Sequence, residues 1–78
     1  MDDTQKQIFA AIAESLGLSP SDLDRSSDLT EDLTLSPIEL NDLITNLSGK
    51  FNVILSSEDL SELKTVDDLL VLIEDNLI

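Results

Sequence analysis

The chain has 78 residues, 17 acidic against four basic, for a formal net charge of -13, and it has neither cysteine nor histidine. This length suits one small domain with an aliphatic core, because sixteen Leu and seven Ile stand beside two Phe and no Trp or Tyr. The composition excludes disulfides, zinc–thiolate sites and histidine acid–base chemistry, and the charge repels nucleic acids and anionic membranes.

An apolar share of 41% separates the chain from a disordered acidic tail. Ile8, Ala11, Ile12, Ser15 and Leu16 fall at helical spacing, with Phe9 beside them, and predict a first helix from Asp3 to Leu16. Asp2, Asp3 and Thr4 suit its start and Gly17 its end. Residues 18–36, "LSPSDLDRSSDLTEDLTLS", predict an unusually long loop. Leu18, Leu23, Leu29, Leu33 and Leu35 punctuate it and should pin it to the core, with "SPSDL" as a short helical turn.

The second helix should begin at Pro37, with Leu40, Leu43, Ile44, Leu47 and Phe51 on one face and Ile38 at its mouth. Glu39, Asp42 and Asn46 fall opposite, Ser48 and Gly49 weaken the last turn, and Lys50 sits at the negative helix end. "NVIL", residues 52–55, reads as an apolar connector because no second strand exists to pair with it. "SSEDLSELK" predicts a short third helix with Leu60 and Leu63 inward. "TVDDLLVLIEDNLI" predicts the last helix, with Val66, Leu69, Leu70, Ile73 and Leu77 on its main face, widened by Val71 and Leu72. The expected architecture is an all-α bundle of three main helices plus one short one, a single domain over residues 1–78 with a long ordered loop after the first helix.

Helix starts of the form S/T-x-x-D/E recur at Ser19–Asp22, Ser36–Glu39, Ser56–Asp59 and Thr65–Asp68. At Ser36 the fit is closest, because Pro37 takes the first helical position, where a missing N–H costs nothing. Other chemistries lack their motifs. The carboxylates do not form a D-x-[DN]-x-[DN]-G calcium loop, and no glycine-rich phosphate loop is present. A bundle this small offers no rigid cleft for paired-carboxylate hydrolysis, so an enzyme is not expected. "MDDTQKQ" does not read as a signal peptide and no apolar run spans a bilayer, which makes the cytoplasm the expected location.

The order of these segments resembles the acyl carrier protein family over nearly the whole chain. "LGLSPSDLDRSSDLTEDLTL" is similar to that family's first loop, "IELNDLITNLSGKF" to its second helix and "TVDDLLVLIEDNL" to its last. In that family a serine opening the second helix, in a D-S-L motif, receives 4'-phosphopantetheine from coenzyme A. The resemblance implies a carrier of acyl or aminoacyl groups as thioesters, and it explains the missing cysteines, because the thiol comes with the arm. Laid without gaps on D-L-G-x-D-S-L, "DLTLSPI" puts Thr34 on the glycine, Ser36 on the aspartate, Pro37 on the serine and Ile38 on the leucine. Ser36 is therefore one position early, and when it is taken as the attachment serine, Leu35 stands where the family has its aspartate.

Ser36 is the expected attachment point, since Ser48, the other serine of this helix, lies near its far end. The resemblance implies as partners a phosphopantetheinyl transferase and acyl- or aminoacyl-loading and synthase enzymes bearing basic patches, with the carrier itself a monomer. Glu39 and Asp42 are the first candidates to dock them, and Glu31 and Asp32 in the loop the next. An ordinary solvated acidic face competes with that role at each of the four. The competing reading of the whole chain is a carrier-like domain that is never modified and acts as a protein-interaction adaptor.

Overall fold

A computed structural model describes residues 3–77. Its helices are α1 (Asp3–Ser15), α2 (Pro37–Phe51), α3 (Ser57–Ser61) and α4 (Val66–Asn76), with a 3-10 turn at Pro20–Asp22. The chain is an all-α bundle of three longer helices and one short one, as the apolar spacing predicts. Asp2, expected in the first helix start, lies outside the described residues.

Helix α1 carries Ile8, Phe9, Ala11, Ile12 and Ala13 inward, and it packs chiefly against α4 and then α2. From α4 come Val66, Leu69, Leu70 and Ile73, and from α2 Leu43, Ile44 and Leu47. Ile8, Ile12, Leu47, Leu69, Leu70 and Ile73 are fully buried. Each such side chain contributes about 1.5–3 kcal/mol relative to an exposed one. Ser15, placed on the same spacing, faces solvent instead.

Helix α1 ends one residue earlier than the spacing suggests, and the reason is its cap. Gly17 takes φ +74°, its N–H donates to Glu14 O at 3.1 Å, and the Leu18 N–H donates to Ala13 O at 2.9 Å. This pair of bonds is a Schellman motif, which needs the left-handed residue that glycine supplies without strain. The turn leaves the Leu18 side chain 37% exposed. Leu18 therefore does not pin the loop, whereas Leu23 and Leu29 are buried and Leu33 and Leu35 half-buried against the core.

Ser48 and Gly49 do not shorten α2. The helix runs to Phe51 and closes on Asn52 in the left-handed conformation, with the Asn52 N–H donating to Ser48 O. Lys50 does lie in its last turn, and its ammonium reaches Glu14 on α1 at 3.6 Å. That pair is exposed and contributes little. In the connector after α2, Val53 is buried and Leu55 half-buried, but Ile54 is 91% exposed. Val71 is likewise exposed, so the buried face of α4 is narrower than its composition suggests.

The long loop is stitched to the start of α4. The Leu29 N–H donates to Lys64 O at 2.8 Å, the Val66 N–H to Ser27 O at 3.0 Å and the Asp67 N–H to Arg25 O at 2.9 Å. Asp28 and Thr65 form an isolated antiparallel bridge at this seam. The Arg25 guanidinium adds an ion pair with Asp67, its Nε donating to Asp67 Oδ1 at 2.7 Å. One further bond, from the Leu35 N–H to Leu29 O at 3.2 Å, fixes the stretch that leads into α2.

Candidate functional site: the head of the second helix

Ser36 is exposed and is the N-cap of α2, with extended backbone at φ -74° and ψ 163°. Its Oγ accepts from the Glu39 N–H at 3.2 Å, and Glu39 Oε1 accepts from the Ser36 N–H at 3.1 Å. The sequence S-P-I-E thus closes a full capping box with proline at the first helical position.

The serines at the other short starts are engaged differently. The hydroxyls of Ser19 and Ser56 donate to the carboxylates of Asp22 and Asp59, each at 2.9 Å. Among the described residues no acceptor takes the hydroxyl proton of Ser36. The Ile38 N–H also has no protein acceptor there, so one backbone donor at the head of this 15-residue helix faces solvent. An exposed hydroxyl with a free proton, beside the positive end of a helix, is suited to becoming a phosphate ester.

The four acidic candidates are all exposed, but they are not equivalent. Asp42 and Glu31 have no side-chain partner among the described residues. Glu39 is tied into the capping box, and Asp32 Oδ2 accepts from the Asp28 N–H at 2.7 Å. Glu39 and Asp42, three residues apart, share one face of α2. Ile38 stands beside them at 75% exposure, which adds an apolar contact to the acidic ones.

Two features of the approach to Ser36 escape a reading by periodicity. The first is Asp28, only 8% exposed, whose Oδ1 accepts from the Glu31 N–H at 2.8 Å, the Thr30 N–H at 2.9 Å and the Thr30 hydroxyl at 3.0 Å. These donors, the Glu31 N–H foremost, hold its carboxyl below the usual value of 3.8 against the opposing effect of burial, and Lys64 adds a smaller pull. The sequence signal was the D-x-T-E of "DLTE", an Asx-turn pattern. The second is Thr34, which sits at φ +53° two residues before Ser36. A β-branched residue rarely takes this conformation.

Comparison with known proteins gives this geometry a family. The family described as "Phosphopantetheine attachment site" matches residues 6–73. The acyl carrier protein of Chlamydia muridarum (strain MoPn / Nigg) is 35% identical over 71 residues, covering 91% of this chain and 92% of its own length. The acyl carrier proteins of Chlamydia trachomatis serovar L2, 33% identical over 72 residues, and Exiguobacterium sp. (strain ATCC BAA-1283 / AT1b), 31% over 78, cover 94% and 99% of their own lengths. The chain belongs to the acyl carrier protein family.

Membership makes it one of the phosphopantetheine carrier proteins, carriers rather than catalysts, a family whose prosthetic group is covalently bound 4'-phosphopantetheine. The family also brings interaction with phosphopantetheinyl transferase and synthase enzymes. The residues at the head of α2 fit such a group through the Ser36 hydroxyl and the Ile38 N–H. Among the described residues no helix is long and apolar enough to cross a membrane.

Proposed function

We propose that Ser36 carries the arm, and that this carrier holds acyl or aminoacyl groups for synthesis of the fatty acid, polyketide or nonribosomal peptide type. The arm supplies a terminal thiol on which such a group rides as a thioester. The protein is read as a monomer of the cytoplasm. The observation that carries the assignment is the free hydroxyl proton of Ser36 at the exposed head of α2. Ser36 presents the nucleophilic oxygen, Pro37 and the capping box fix its direction, and the helix end favours the negative charge the ester brings. Asp42 and Glu39, with Glu31 and Asp32 behind them, form the acidic face on which basic patches of the transferase and synthases dock, chiefly by speeding association.

One observation favours a second reading. Pro37, which has no hydroxyl, occupies the position of the family's attachment serine in gapless register, so the chain can also be read as an unmodified interaction adaptor. Mass spectrometry after incubation with coenzyme A, magnesium and a broad-specificity phosphopantetheinyl transferase separates the two. The expected result is one added phosphopantetheine arm, mapped to Ser36 and absent from Ser36→Ala. Ser36→Ala should also lose about 1 kcal/mol of stability with the cap. Ser36→Asp should keep most of that stability and still gain no mass. An unmodified wild type, with several transferases including one from the native host, would leave the adaptor reading standing.

A further inference from the structure

The capping box places a carboxylate beside the oxygen proposed to become a phosphate ester. Ser36 and Glu39 each hold the other through a backbone N–H, at 3.2 and 3.1 Å, which keeps the Glu39 carboxylate over the serine. Few donors remain to receive an anion there. Pro37 has no N–H, and the Leu40 N–H already donates to Ser36 O at 2.9 Å. Only the Ile38 and Glu39 amides can turn toward a phosphodiester on Ser36 Oγ. A phosphodiester carries a full negative charge, and the neighbouring carboxylate repels it.

We propose that Glu39 is a positioning residue that changes role on loading. In the unloaded chain it holds the head of α2 through the Ser36 N–H. In the loaded chain it releases that N–H and turns outward beside Asp42. The inference rests on the assignment of the arm to Ser36. In the loading reaction the Ser36 oxygen bonds to the pantetheine-side phosphorus of coenzyme A and the phosphorus–oxygen bond to the adenosine bisphosphate breaks. That nucleotide leaves, and the hydroxyl proton passes to the transferase or solvent. A neutral cap acceptor thereby becomes an anion, and the Glu39 charge, part of the docking face throughout, moves from the cap to a place beside Asp42 only after loading. Enzymes that use the loaded carrier then meet a different acidic face from the one the transferase meets.

Glu39→Gln tests this, because the amide can still accept from the Ser36 N–H but carries no charge. At low ionic strength the transferase should modify Glu39→Gln with a kcat about threefold above wild type, even as KM rises from the lost docking charge. The change in melting temperature on loading should be more favourable in Glu39→Gln than in wild type, and the two should converge in high salt. In wild type the Ser36 amide should lose its hydrogen-exchange protection when the arm is attached. If both proteins are loaded and shift equally in melting temperature, with the Ser36 amide still protected, the role of Glu39 is overturned and the carrier reading stands. If neither wild type nor Glu39→Gln is ever loaded, the assignment to Ser36 falls and this inference falls with it.

Discussion

Thr34 is the residue at which the local backbone and the side chain disagree most. Its φ of +53° is a conformation in which a β-branched side chain crowds its own backbone, and its hydroxyl only donates to the adjacent Leu33 O at 2.7 Å. The turn is needed nonetheless, because it lets the Leu35 N–H reach Leu29 O and delivers Ser36 to the head of α2. Thr34→Gly should therefore stabilise the fold by about 1 kcal/mol, the relief of strain outweighing the extra entropy of an unfolded glycine. Thermal denaturation should show a rise of roughly 4–8 °C for a domain of this size. An unchanged or lower midpoint would mean that the loop absorbs the threonine without strain. The glycine at the corresponding place in the family's D-L-G-x-D-S-L pattern accords with that expectation.

At the level of elements, the helices and caps were legible in the sequence and the seam beneath them was not. Helical spacing and S/T-x-x-D/E starts are local signals, and α2 and α4 open on capping boxes at Ser36 and Thr65 as those signals predict. The seam joins residues 25–29 to residues 64–67, a pairing that no local pattern encodes. The same limit explains Leu18 and Ile54, whose apolar character says nothing about which way a turn points them. At the site, the serine and the four acidic positions could be read from motif and helical face. That Glu39 is engaged as an acceptor follows from the capping-box pattern, whereas the engagement of Asp32 could not be read, because it depends on the geometry of the loop.

The seam makes a prediction about acid. The folded Asp28 carboxyl titrates below its usual value of 3.8, so its contribution is present at higher pH and is lost as pH falls through the folded value. Asp28→Asn should be less stable than wild type near neutrality, and the gap should narrow on acidification from about pH 4 downward. Urea titrations of both proteins across that range would show it. A gap that stays constant would mean that the charge of Asp28 contributes nothing beyond its oxygen's acceptor geometry.

For the molecule as a whole, the balance is between an aliphatic core and a net charge of -13. Lys50–Glu14 and Arg25–Asp67 are the ion pairs among the described residues, and neither is buried. They offset little of the self-repulsion. Added salt or millimolar divalent cations should therefore raise the melting temperature, as circular dichroism at increasing ionic strength would record. A midpoint that fell with salt would show that attractive pairs outweigh repulsion in this chain.

The pairing of Asp28 with Thr65 has a topological consequence of its own. It clasps the chain at a neck, and the stretch between the two ends of the clasp contains the Thr34 turn, Ser36, α2 and α3. Leu43, Ile44 and Leu47 of α2 belong to the same buried core as the side chains of α1 and α4, so the enclosed stretch is held by that core as well as by the neck. The arm's proposed anchor thus lies within a closed loop of chain, and freeing that loop means exposing the core side chains of α2 as well as undoing the clasp.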